Sequence, residues 1–135
     1  MSEVRNSYTL SSTTELLFAD AVACVREELG DAGFGVLCKM DVQATLKEKL
    51  EAEREPYIIL GACNPPLAHA ALGAEPKLGV LRPCNVIVYQ QHGLTHIAAV
   101  DAEPLLPLVG NDELAPTAAE VRRRLAAVVD RAAAG

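Results

Sequence analysis

The sequence predicts an α+β fold: a mainly antiparallel sheet with helices packed on one face, in the order β-α-β-(α)-β-(α)-β-β-α. Three observations carry this. Two apolar stripes at helical spacing stand near the ends of the chain, Phe18-Val22-Val25-Leu29 and Val121-Leu125-Val128-Ala132. Between them lie apolar runs of strand length, the last two joined by the turn-like Gln91-His92-Gly93, as in a hairpin. A crossover helix followed by successive strands fits α+β better than a parallel sheet wound on both sides.

Residues 6–11 read as the first strand. Ser12 and Glu15 have capping-box spacing and are expected to open the first helix. Gly33 is its expected stop, since glycine accepts the left-handed backbone past a helix end. Phe34, Val36, Cys38 and Met40 alternate with Gly35, Leu37, Lys39 and Asp41, a period of two that argues a strand with Cys38 in its packed set. Asp41 then caps a short helix bearing Val42, Leu46 and Leu50, and the mixed-charge run Lys47 to Glu55 is a solvated face and exit.

Pro56 to Cys63 is nearly continuous in apolar residues and reads as a strand covered on both faces. Asn64 is a strong helix cap and Pro65 suits the first helical position, so a small helix runs through Leu67, Ala71 and Leu72 to Gly73. Leu78 to Gln91 reads as one long strand interrupted at Arg82-Pro83, and Leu94 to Val100 as its returning partner. Residues 101–116 are irregular. Thr117 and Glu120 form a second capping box ahead of the last helix, and the consecutive Arg122, Arg123 and Arg124 point in different directions around a solvated helix.

With 135 residues the chain is expected to be one domain, 1–135. It carries 12 basic and 18 acidic side chains, a net charge of −6 that argues against a general nucleic-acid or anionic-membrane binder. Tryptophan is absent and aromatics are 4%, so a base-stacking platform is not expected. No apolar run approaches the ~18 residues of a membrane span, and Met1 to Asn6 holds no export signal. A cytoplasmic location follows as the expectation, with Cys24, Cys38, Cys63 and Cys84 as reduced thiols. They form no Cys-x-x-Cys pair and match no standard zinc spacing.

The distinctive local feature is a doubled motif, Cys63-Asn64-Pro65 and Pro83-Cys84-Asn85. Both stand at strand punctuation, where a rigid scaffold exposes functional side chains. Cys63 precedes a helix start whose partial positive charge favours thiolate, so it is expected to react before Cys24 and Cys38, which packing should protect. Asn85 opens an apolar strand, where a buried amide needs a partner; the expected one is the backbone of the Cys63-Asn64-Pro65 turn. Cys63, Asn64, Cys84 and Asn85 are therefore the candidate ligand-binding residues. Ordinary packing of the thiols and a capping role for Asn64 account for the same residues without a ligand. His69, His92 and His96 have no metal-ligand or catalytic context, and no phosphate-binding or nucleophile-elbow motif occurs.

Gly33-Phe34-Gly35-Val36-Leu37 with Asp41, Leu60-Gly61-Ala62-Cys63-Asn64-Pro65, and Leu81-Arg82-Pro83-Cys84-Asn85-Val86-Ile87-Val88-Tyr89 together resemble the bacterial and archaeal domain of unknown function 302. The resemblance covers about residues 6–103. It implies an α+β domain similar to TATA-binding-protein-like folds, often paired as a dimer, and assigns no activity or cofactor. Fold analogy does not bring DNA binding with it.

The leading functional reading is a binding module for a small molecule or soft metal near the two Cys-Asn motifs. The first alternative is a homodimeric interaction domain, since the strands at Ile58-Ile59-Leu60 and Val86-Ile87-Val88 are apolar on both faces and the helices cover one. The second is a thiol-dependent or sulfur-handling enzyme with Cys63 as nucleophile, which lacks a recognisable general base. A soft metal would need ligands beyond two sulfurs, and no metal site or catalytic set is assigned.

Overall fold

The computed structural model describes residues 7–135. Its elements are β1 (Thr9–Thr14), α1 (Phe18–Asp31), β2 (Gly35–Asp41), α2 (Val42–Leu50), β3 (Tyr57–Cys63), α3 (Pro65–Ala74), β4 (Cys84–Gln91), β5 (Leu94–Val100), α4 (Leu106–Val109) and α5 (Ala115–Ala134). Short 3-10 turns occupy Pro76–Leu81, Glu103–Leu105 and Asp112–Leu114. The strands pair antiparallel throughout, in the order β1-β5-β4-β3-β2. This is the α+β architecture expected, with the helices on one side of the sheet.

The two apolar stripes build the core. Helix α1 buries Ala21, Val25 and Leu29, while α5 buries Val121, Leu125, Val128, Val129 and Ala132. They pack on the inward residues Ile58, Leu60 and Ala62 of β3, Val86 and Val88 of β4, and Ile97 and Ala99 of β5. Each fully buried Leu or Val contributes about 1.5–3 kcal/mol relative to exposure.

Helix α1 stops where Gly33 turns left-handed, at φ +87°. The Phe34 N–H donates to the Leu29 carbonyl at 2.8 Å and the Gly33 N–H to the Gly30 carbonyl at 3.0 Å, the paired bonds of a Schellman ending. Phe34 and Leu29 are both buried, so the turn is closed by apolar contact and hands the chain to β2.

Neither capping box forms. Strand β1 runs on to Thr14, paired with β5 from Thr9↔Val100 to Thr14↔Thr95, so Ser12 belongs to the sheet. Helix α1 then starts behind Leu17 without a side-chain cap; the Thr14 hydroxyl accepts from the Leu16 N–H and the Thr95 hydroxyl donates to the Leu16 carbonyl. At the other end α5 begins at Ala115, and Glu120 turns to Arg123 and Arg124 instead of the helix start. Asn6, in the expected first strand, lies outside the described residues.

The expected strand across 78–91 is divided. Residues Pro76–Leu81 form a 3-10 turn, the Arg82-Pro83 peptide is cis, and β4 starts at Cys84. Proline therefore stands before the ladder, where its missing N–H removes no bond, and β4 lies in the sheet interior between β3 and β5. Strand β2 is an edge strand with a register shift at Leu37, and most of its residues are exposed. Helix α2 is capped by Asp41, whose carboxylate accepts from the Ala44 N–H at 2.9 Å, yet it buries no residue and leaves Leu50 71% exposed.

Candidate ligand-binding site

Side chains alternate across a sheet, and this parity separates the members of the doubled motif. Ala62 pairs with Cys84 and Gly61 with Asn85. Ala62 and Cys84 belong to the buried core on the helix side. Asn85 faces the other side of the sheet and is exposed, with its Oδ1 3.8 Å from where a Cβ on Gly61 would stand. The two Cys-Asn segments come together at one end of the sheet, but consecutive residues cannot both face inward. Among the described residues Asn85 makes no side-chain hydrogen bond to the Cys63-Asn64-Pro65 turn, contrary to the expected clasp.

Asn64 supplies a clasp instead. It is 5% exposed, accepts from the Leu67 N–H at 3.1 Å, and donates from Nδ2 to the Gly33 carbonyl at 3.0 Å. The adjacent Ala32 carbonyl accepts from Arg124 at 3.1 Å. A helix C-terminus leaves carbonyls without intrahelical partners. Here α3 and α5 supply donors at the end of α1, which locks three helices together. Glu120 accepts from both Arg123 and Arg124, and these bonds hold its carboxyl at about 2, below the usual carboxylate range. Arg122 pairs with the buried Asp101 at 3.0 Å. Each of the three consecutive arginines thus has an internal partner.

Cys84 lies at the wall of a cavity of about 60 Å³. Leu78, Leu81 and Arg82 come from the turn before β4, Val100 from β5, Leu105, Leu106 and Val109 from around α4, and Leu114, Thr117, Ala118 and Val121 from α5 and its approach. Ala71 of α3 and Ala102 complete it. One ordered water needs roughly 10–15 Å³ measured this way, so the space exceeds a single water several-fold. Burial pushes the Cys84 thiol above its ordinary range; the nearby Arg82 guanidinium opposes this, and charge on Cys63 adds to it. The wall therefore presents a neutral S–H, a weak donor within apolar surroundings.

Cys63 is half-buried and is not among the residues lining this cavity. Cys38 is exposed, contrary to the expectation that packing protects it, because β2 is an edge strand. Its sulfur lies over Gly61, 2.5 Å from where a Cβ would be, with Pro83 Cγ 2.8 Å from the same point. Among the described residues no group of three or more His, Cys, Asp and Glu is placed to hold a metal ion. Nor does a side-chain hydrogen bond there join Cys63 to an imidazole or carboxylate. His69 and His92 are exposed, while His96 stacks on Tyr89 with ring centroids 4.7 Å apart.

Sequence reasoning missed Arg82, Thr117 and the Leu105 to Val109 segment as parts of this wall. Periodicity offered no signal for residues 101–116, although their apolar content in an irregular stretch marks a segment that must cover something.

Fold and cavity define the class: an antiparallel α+β protein with helices over one sheet face and an apolar cavity at the end of its central strands. The comparisons with known proteins place it further. A model of the family described as "Domain of unknown function DUF302" matches residues 8–132, and the chain belongs to that family. It is similar to the crystal structure of an uncharacterized conserved DUF302 protein from Bacillus stearothermophilus, with a TM-score of 0.86 and 31% identity, covering 92% of this chain and 97% of that one. No match is found among curated proteins. Among the described residues no helix is long and apolar enough to cross a membrane.

Proposed function

We propose that the protein is a binding module that takes a small, largely apolar molecule into the cavity beside Cys84. The carrying observation is the cavity itself: concave, built from two stretches of chain, 71–84 and 100–121, apolar over most of its wall, with a few polar groups at fixed places. Cys84 is the member of the doubled motif that meets the ligand. Asn64 supports the wall by seating α3, whose Ala71 lines it. Asn85 and Cys63 lie outside that wall. A small organic ligand suits the wall better than a soft metal, since Cys84 is the one strong soft donor among its lining residues.

The test is an amide-resolved NMR titration with 1-pentanol. Shifts clustered on Ala71, Leu78, Cys84, Val100 and Val121, and abolished in Val109→Trp, support the reading. No saturable shift, or shifts centred elsewhere, overturns it.

A second reading, homodimerisation, is favoured by the sheet face away from the helices. By alternation this face carries Ile59, Ile87 and Ala98 beside the stacked rings of Tyr57, Tyr89 and His96, and the neighbouring Met40 is 52% exposed. Light scattering at tens of micromolar tests it: a dimer that Ile87→Glu dissociates supports pairing through this face, and a monomeric wild type refutes it.

A further inference from the structure

We infer that the molecule held beside Cys84 is a short-chain monocarboxylate, its carboxylate paired with Arg82 and its alkyl chain laid among Leu78, Leu105, Leu106 and Val109. This deepens the proposed binding function and rests on it. The argument starts from charge. Arg82 is the one charged side chain in the cavity wall, and no Asp or Glu lines it. It is half-buried, and among the described residues it has no carboxylate partner. Arg122, Arg123 and Arg124 are each engaged by Asp101 or Glu120. Arg26, Arg54 and Arg131 also stand without a carboxylate partner among the described residues but are exposed, whereas Arg82 is half-buried in the wall of an apolar cavity.

The geometry of the group matches the ligand. Guanidinium presents paired donors in a plane and binds carboxylate through two parallel bonds. Phosphate satisfies the same fork, but an apolar wall gives a second charge and more oxygens nothing to bond. Thr117 supplies the remaining polar group, a hydroxyl without a hydrogen-bond partner among the described residues, able to donate to a carboxylate oxygen. The Cys84 thiol, neutral because it is buried, adds no repulsion to an anion. The space of about 60 Å³ suits a short chain rather than a long acyl tail. Binding is a reversible association with no bond made or broken.

The experiment compares pentanoate with 1-pentanol by NMR titration on wild type, Arg82→Gln and Arg82→Lys. The expected result is pentanoate binding about tenfold tighter than 1-pentanol to wild type, the lower range for one charge-assisted pair at a half-open mouth. Arg82→Gln should remove that preference, read as the ratio of the two affinities in each variant, and Arg82→Lys should restore part of it. Equal binding of the two probes to wild type, or a pentanoate preference that survives Arg82→Gln, overturns the carboxylate assignment and leaves the cavity reading standing. Binding of neither probe overturns both. Equal unfolding midpoints for the variants and wild type exclude misfolding as the cause of a lost preference.

Discussion

Replacing Asn64 with alanine removes two bonds that serve different helices, and the structure allows each to be weighed. Loss of the acceptor for the Leu67 N–H at the start of α3 is an N-cap deletion, which costs ~1 kcal/mol in a usual range of about 0.5–2. Loss of the donor to the Gly33 carbonyl removes one tertiary bond at the end of α1, worth about 1 kcal/mol net. Gly33 is exposed, so water can reach the vacated carbonyl, and the larger penalty for a buried unsatisfied group does not apply. Asn64→Ala should therefore lose about 2 kcal/mol. With a urea slope near 2 kcal/mol/M, typical of small proteins, the midpoint should fall by about 1 M. Asn64→Ser separates the two roles: serine caps nearly as well but is too short to reach Gly33, so it should lose about 1 kcal/mol. The assay is urea unfolding followed by far-ultraviolet circular dichroism. A loss under about 0.5 kcal/mol in Asn64→Ala would refute the clasp. Equal losses in the serine and alanine variants would show that the cap bond contributes nothing.

Gly61→Ala should be strongly destabilised, because its Cβ would stand 2.5 Å from Cys38 Sγ and 2.8 Å from Pro83 Cγ; adding Cys38→Ala should recover part of the loss, and additive effects in urea unfolding would count against this packing. Native-state alkylation read by mass spectrometry should modify Cys38 first and Cys84 last, following their exposure, and Cys84 reacting early would contradict its burial. The raised Cys84 pKa adds a pH effect of definite sign. Above its unfolded value of 9.0 the unfolded chain releases this proton before the native one does, so stability is intact below that pH and falls as pH rises through the native value. In Cys84→Ala the decline above about pH 9 should be shallower, and unfolding curves of identical steepness in pH would refute the assignment.

The features legible in the sequence are those set by neighbours along the chain. Helical and strand periodicity located both long helices and most of the ladder, since a face must be apolar to be buried whatever covers it. Gly33, Asp41 and Asn64 act where the local pattern placed them, because a left-handed turn and an N-cap depend on residues within one helical turn. What the chain pattern could not decide depends on partners far away in sequence. Pairing with β5 draws Ser12 into a strand and cancels one capping box. The edge position of β2 exposes Cys38, although its alternating neighbours are the same as those of a covered strand. Register with β3 turns Cys84 inward and Asn85 outward, so the doubled motif divides across the sheet. The cavity wall joins Arg82, Val109 and Thr117, segments with no common periodicity, and becomes a wall when α5 docks over β5. Burial, and with it the chemistry of a thiol or a guanidinium, is a property of the surrounding space, which is settled only when the sheet and helices close around it.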